Sequence, residues 1–297
     1  MQSMTKYIYF HICTLNAYAQ IITDMMNQCM ASGLMDEITE LRYYVTGIHI
    51  SHVQDIMRGY PKTRCVQTEI RNQEYERFTL HALRADCQRM EEKGEKAYIL
   101  YLHSKGVSRP PWQFPGVASW RETMIYGLSV YRHVCWEELG RGVDAVGSYY
   151  RDLPRPHFSG NFWWARSSHI ATLDRIGPQY LDPEMWILSA PQCTWSELQN
   201  EGNSYFQPIE ILFYKSKMHL VSTLQHDCIP TIPRGDVDSI EMGSNDAWVR
   251  VELPPPGTIR LCRETFRIEL PHGAEMVKIR TKHRTRYFLE GQRCTFT

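Results

Sequence analysis

KAYILYLHSKG, Lys96 to Gly106, is the most strand-like stretch of the chain. A largely apolar run reads as a buried strand, and the polar tip His103-Ser104-Lys105-Gly106 ends it abruptly. Upstream, KYIYFHICT (Lys6–Thr14) is β-rich and apolar and reads as the first buried strand. NAYAQIITDMMNQCMASGL follows, with Asn16 as a candidate N-cap. Ile21, Ile22, Met25, Met26 and Cys29 recur at helical spacing, and Gly33 is the stop signal. ELRYYVTG (Glu40–Gly47) is the next strand. Strand, helix and strand in close succession predict a βαβ unit and hence a parallel sheet.

The same periodicities extend outward. A helix is predicted from Asn72 to Glu92, with Tyr75, Phe78, Leu80 and Leu83 on its apolar face. VSRPPWQFPG reads as a proline-rich loop, and ASWRETMIYGLSVYRHVCWEELG as one long helix ending at Gly140. VDAVGSYY is a further buried strand, RSSHIATLDRIG a short helix, and PEMWILSA is also read as helical. After Phe206 the texture changes. IEILFY, AWVRVEL, TIRLCR, TFRIEL, MVKIRT and RYFLEG are short strand-like runs separated by turn residues. The expected architecture is α/β: a Rossmann-like, mostly parallel sheet flanked by helices over residues 1–205, then a strand-rich extension over 206–297.

Composition narrows the function. Hydrophobic residues are 43% and charged residues 22%, an ordinary globular balance. Lys+Arg and Asp+Glu are equal at 33 each, so no global basic field points to nucleic acid. The nine cysteines are dispersed with no CxxC pair, which argues against a disulfide framework and against a zinc motif. A reducing compartment, the cytoplasm, is expected, supported by the absence of an Asn-x-Ser/Thr sequon and of a signal-peptide pattern. No apolar run is long enough to span a membrane.

In an open parallel sheet, ligands gather beyond the carboxyl ends of the strands. Three polar strand ends stand out: Cys13-Thr14-Leu15-Asn16, His103-Ser104-Lys105-Gly106 and Gly147-Ser148. His103 and Lys105 alternate along a strand, so both side chains point to one side. Lys105 offers a point charge for a phosphate, and Gly106 permits a sharp turn. A solvated loop tip is the better reading from these residue types alone. Arg121, near a helix start, can meet an anion or can be an ordinary helix charge. In HFSGNFWWA, Gly160 allows close approach, Asn161 can read hydroxyls, and alternation lets one of Trp163 and Trp164 face a pocket while the other faces the core. In YLDPEMWI, Glu184 beside Trp186 is a candidate general base, with Asp182 as second choice; both also suit a helix start.

Taken in order, YERFTL, YILYLHSKG, WRETM, DAVG, HFSGNFWWA and DPEMWI resemble the GT-A-type glycosyltransferases of large DNA viruses (chlorella-virus-like), bacteria and algae. The resemblance spans Lys6 to Ser189. It implies a nucleotide-sugar donor over the first half of the sheet and a glycan or glycoprotein acceptor near the second. Donor contacts then fall to Thr14, His103, Lys105, Gly106 and Arg121. Sugar and acceptor contacts fall to His157, Ser159, Gly160, Asn161, Trp163 and Trp164, and the base of an inverting transfer to Glu184 or Asp182. Where such enzymes carry Asp-x-Asp for a metal, this chain has His103-Ser104-Lys105, so no metal or other cofactor is expected, and Lys105 takes over charge neutralisation. Two other readings compete. One is a carbohydrate-binding or scaffold protein that no longer turns over. The other, a Rossmann-type nucleotide enzyme, is disfavoured by the lack of any G-x-G-x-x-G or Walker A motif.

Overall fold

A computed structural model describes residues 4–71, 74–108 and 116–199 and, beyond them, the backbone of the strands that follow. The first half contains β1 (Thr5–Cys13), α1 (Tyr18–Ala31), α2 (Leu34–Glu37), β2 (Glu40–Thr46), α3 (Ile50–Arg58), β3 (Thr63–Glu69), α4 (Arg77–Glu92) and β4 (Ala97–His103). Then come α5 (Gly116–Val130), α6 (Arg132–Gly140), β5 (Ala145–Ser148), the small hairpin β6 (Tyr150–Arg151) and β7 (His157–Phe158), β8 (Trp163–Arg166), α7 (Ser167–Thr172), α8 (Asp182–Met185) and β9 (Trp195–Gln199). With β10 (His219–Ser222), these build an eight-stranded sheet in the order β10-β9-β5-β8-β4-β1-β2-β3.

The sheet is mostly parallel, as the opening strand–helix–strand unit predicts. β1 runs parallel to β2 and β4, β2 to β3, and β5 to β9. β8 runs antiparallel to both β4 and β5, and β10 is antiparallel at the edge. Side chains alternate across the sheet and divide the core in two. Ile8, Phe10, Ile12, Leu100, Leu102 and Trp164 pack in the layer that includes residues of α1, α5 and α6. Tyr9, Ile99, Tyr101 and Trp163 pack in the layer that includes Leu80, Leu83 and Cys87 of α4 and Ile170 of α7. Coverage on both faces explains why β1 and β4 read as largely apolar.

Four local expectations are corrected. Asn16 does not cap α1, which begins at Tyr18 after Ala17 with no side-chain cap bond. The helix predicted as one piece breaks at Tyr131 into α5 and α6, and Arg132 donates from Nη1 to the Ser32 and Ser129 carbonyls at 2.8 and 2.9 Å across the break. PEMWILSA gives only the single turn α8. The helix expected from Asn72 begins at Arg77, after Tyr75 at φ 51°. Elements not anticipated include α2, α3, the edge strand β3, β9 and β10.

After β10 lie β11 (Thr231–Ile232), β12 (Val237–Ser244), β13 (Ala247–Val251), β14 (Phe266–Arg267), β15 (Met276–Thr281), β16 (Thr285–Leu289) and β17 (Arg293–Phe296). They form a four-stranded sheet, β13-β12-β15-β16, and a three-stranded one, β11-β17-β14. AWVRVEL, TFRIEL, MVKIRT and RYFLEG thus each contain strand, whereas IEILFY and TIRLCR lie outside the described residues. Among the described residues no helix is long and apolar enough to cross a membrane, and Cys13, Cys29, Cys65, Cys87, Cys135 and Cys193 are free thiols.

Candidate functional site

β1 and β4 are neighbours, but the chain leaves them in opposite directions across the sheet: β2 and β3 lie to one side, β8 and β5 to the other. The segments that leave their carboxyl ends therefore diverge at a topological switch point. A cleft of about 260 Å³ lies there. Its walls come from the ends of β1 and β4, the segment before α4, the start of α5, the turn between β7 and β8, and α8.

The floor is built by hydrogen bonds between the two strand ends. Ser104 donates its N–H to the His11 carbonyl at 2.9 Å, and its Oγ accepts the Cys13 N–H at 2.9 Å. Gly106 then turns the chain at φ +88°, where a Cβ would sit 2.6 Å from Val117 Cγ1. Arg121 donates to the Lys105 carbonyl at 2.8 Å, and Asn16, itself at φ 41°, donates to the Val107 carbonyl at 2.7 Å. The loop after β4 is thus tied to both α5 and the end of β1. The Lys105 ammonium lies 4.2 Å from the centroid of the Trp120 ring. That contact orients a cation at the cleft.

The opposite wall centres on Glu76. Its Oε2 accepts from Asn161 Nδ2 at 2.7 Å and from the Tyr101 hydroxyl at 3.0 Å, and Oε1 lies 3.6 Å from His103 Nδ1. His103 Nε2 is 2.9 Å from the Gly160 carbonyl. A carbonyl only accepts, so Nε2 carries the proton there. Burial, reinforced by the Lys105 charge, pushes the pKa of His103 down to about 3, so the ring is neutral at physiological pH. His11, with Nδ1 2.8 Å from the Thr79 hydroxyl, is likewise lowered to about 4 by burial. Gly160, at φ +101°, donates its N–H to Glu184 Oε1 at 2.5 Å. A Cβ on Gly160 would meet Met124 Sδ at 2.5 Å. The Ser-Gly-Asn turn therefore needs its glycine for close packing, and it delivers a carboxylate to the cleft.

Of the residues anticipated from the sequence, His103, Lys105, Gly106, Gly160, Asn161 and Glu184 line the cleft together. The others do not. Trp163 and Trp164 are both fully buried. Trp163 stacks on Tyr101 with ring centroids 5.1 Å apart and donates to Asn161 Oδ1 at 2.8 Å. Trp164 packs edge-on against Trp136 and donates to the Leu128 carbonyl at 2.9 Å. β8 is a central strand covered on both faces, so its alternation serves two cores and no pocket. Asn161 engages Glu76 and Trp163, which makes it a strut of the wall as well as a lining residue. Asp182 accepts from Arg155 and from the Gln179 N–H at 2.6 and 2.8 Å and so holds its own turn. Arg121 supports the Lys105 loop from beneath. Thr14 is buried, its Oγ accepting the His49 N–H at 3.3 Å. His157 pairs through Nδ1 with the Arg155 carbonyl at 2.7 Å, and Ser159 donates its N–H to the Tyr149 carbonyl at 2.9 Å.

Sequence reasoning missed Glu76, Tyr75, His11 and Tyr180, all of which line the cleft. Glu76 precedes a helix, where an acid reads as an ordinary first-turn charge. Only its place between two aromatic residues in YERF hinted at more.

A protein-family model described as "Domain of unknown function (DUF8361)" matches residues 9–207. No curated protein matches the chain. The crystal structure of Rv0371c from Mycobacterium tuberculosis H37Rv is similar at 14% identity with a TM-score of 0.36, covering 69% of this chain and 94% of that one. The Rv0371c homolog from Mycobacterium sp. strain JC1 is similar at 11% identity with a TM-score of 0.32, covering 66% and 87%. Both likenesses are distant.

Proposed function

The chain belongs to the family described as Domain of unknown function (DUF8361), and from the geometry of its cleft we propose that it is a glycosyltransferase that moves a sugar from a nucleotide-sugar donor to a hydroxyl of a glycan. The observation that carries this reading is the convergence of Lys105 and Glu184 on one cleft at the switch point of the sheet. A cation on one wall and a carboxylate on the other suit a reaction that needs both a charge sink and a base.

In this reading the donor diphosphate lies against Lys105 and the turn at Gly106. Glu184 takes the proton of the acceptor hydroxyl as its oxygen attacks the anomeric carbon. The bond from that carbon to the diphosphate oxygen breaks, inverting the centre, and Lys105 stabilises the departing negative charge. Because His103 is held neutral, it adds no charge to the diphosphate; it braces Gly160 and hence Glu184. The tip of β4 offers no carboxylate for a divalent ion, and Lys105 would repel one, so transfer is read as metal-independent. The free thiols suit a reducing compartment such as the cytoplasm.

A second reading, carbohydrate binding without turnover, is favoured by one observation: Glu184 already accepts the Gly160 N–H and so has a structural partner in the turn before β8. The experiment that separates the two is a panel of UDP-, GDP- and dTDP-sugars, read first by thermal shift and then by donor hydrolysis without acceptor. A ligand that binds only the folded state raises its melting temperature as its concentration exceeds Kd. One donor is expected to stabilise and to be hydrolysed slowly, in EDTA as well as with added Mg²⁺ or Mn²⁺. Stabilisation without hydrolysis or transfer selects the binding protein, and no stabilisation by any donor removes both.

A further inference from the structure

At the end of the sheet opposite the cleft, three residues from separate parts of the chain meet. Asp144 precedes β5, His169 lies in α7, and Cys193 lies in the turn before β9. We propose that Asp144, His169 and Cys193 form a binding site for a divalent metal ion of the Zn²⁺ class, a site that does not depend on the glycosyltransferase reading. One ligand atom from each residue, the thiol sulfur, a ring nitrogen and a carboxylate oxygen, lies within 4.8 Å of the other two. A bound zinc draws such ligands slightly closer, since its bonds to sulfur, nitrogen and oxygen are roughly 2.0–2.3 Å long.

The hydrogen bonds around the three residues point the same way. His169 Nε2 lies 2.8 Å from the Ile187 carbonyl, which fixes the proton on that nitrogen. In the uncharged ring Nδ1 is then a lone pair, and it faces Asp144 Oδ1 at 3.8 Å. Two electron-pair donors face each other there, and the Arg166 guanidinium supplies the positive charge at Oδ1 that a metal ion could take over. The other carboxylate oxygen, Oδ2, accepts from both the backbone N–H and the hydroxyl of Thr194 at 2.9 Å. A ligating imidazole tied through its second nitrogen to a backbone carbonyl, beside a carboxylate anchored by hydrogen bonds, is the outer-shell arrangement of protein metal sites. Cys193 Sγ lies 3.7 Å from His169 Nε2 and 3.8 Å from the Ile187 carbonyl, so its side chain must turn toward Nδ1 to share the ion. The three residues share an open surface pocket, so a fourth position faces solvent.

Arg166 competes for the site, because its guanidinium also reaches Asp144 Oδ1. Its side chain is 32% exposed and can swing into water when a metal arrives. On binding, the Cys193 S–H bond breaks, the proton goes to solvent, and the thiolate sulfur bonds to the metal. The ion would then fasten the start of β5, α7 and the approach to β9 to one another.

The test is a titration of the metal-stripped full-length chain with Co²⁺, followed by displacement with Zn²⁺. The expected result is a thiolate-to-cobalt charge-transfer band that saturates at equimolar metal and disappears on adding zinc. Cys193→Ala should abolish the band, whereas Cys65→Ala, which alters a thiol on β3, should keep it; far-UV circular dichroism establishes that both fold. Arg166→Gln should tighten cobalt binding severalfold by removing the competing cation. The site is overturned if the wild type gives no saturable band, if the band survives in Cys193→Ala, or if Arg166→Gln folds normally and binds more weakly.

Discussion

Glu184 and Asp182 stand two residues apart in one turn, and the structure gives them different surroundings. Glu184 lines the cleft, and Asp182 is paired with Arg155 outside it. Glu184→Gln should lower kcat for transfer by roughly 10²-fold or more while donor binding persists. Asp182→Asn should leave kcat nearly unchanged and cost at most about 1 kcal/mol of stability, because its partner Arg155 is largely exposed. Steady-state kinetics on the two variants decide the assignment; near-normal turnover in Glu184→Gln would make that carboxylate a brace for Gly160 and nothing more. The paired tryptophans carry the complementary prediction. Trp163→Ala and Trp164→Ala should each destabilise by about 3–5 kcal/mol, since each empties a fully buried site. Urea denaturation checks this. A variant of either that melts normally yet loses ligand affinity would restore that ring to the pocket.

At the scale of elements, what the sequence made legible follows from burial. β1 and β4 were readable because both of their faces are covered, which forces apolar runs such as Ile8–Ile12 and Ala97–Leu102. β3 was not, because it is an edge strand whose side chains are mostly half-buried or exposed, so polar residues satisfy it. α3 buries only Val53 and Met57, too few to set up a helical period. The break between α5 and α6 has no glycine or proline to announce it; packing of Arg132 against Ser32 places it. In the site, the turns at Gly106 and Gly160 were legible because their backbones need a residue without a Cβ. Glu76 was not, because its role arises from Tyr101, His103 and Asn161, which reach it from distant parts of the chain. The turn between β7 and β8 gives this argument a test. Gly160→Ala puts a side chain into Met124 at a backbone angle that only glycine adopts easily, and should cost about 1–3 kcal/mol. Because the same N–H holds Glu184, turnover should fall along with stability. A variant that loses stability but keeps full kcat would uncouple the turn from the carboxylate.

The whole molecule inherits a pH dependence from the floor of its cleft. His11, buried, and His103, half-buried at the cleft, lie on the carboxyl edge of the sheet and are held neutral, with pKa values lowered to about 4 and about 3. The charges that bear on them partly oppose each other. Glu76 and Glu184 favour protonation, whereas Lys105 and Arg121 disfavour it, and desolvation decides the outcome. In the unfolded chain both rings take a proton near pH 6.5. Between that value and the lowered ones, the unfolded state therefore holds more protons than the folded state. Stability is at full strength above about pH 6.5 and must fall as the pH drops toward 4, by at most about 1.4 kcal/mol per pH unit for each histidine. Acid should thus loosen the switch point first, the region where Ser104, Gly106 and Gly160 hold the cleft in shape. The measurement is the urea midpoint at pH 7, 6 and 5 for the wild type, His11→Asn and His103→Gln. Neither replacement titrates in this range, so each should be less stable than the wild type at pH 7 but lose less between pH 7 and pH 5. Identical pH slopes in all three proteins would mean that the two rings exchange protons with solvent in the folded state, and that the cleft floor is wetter than its packing implies.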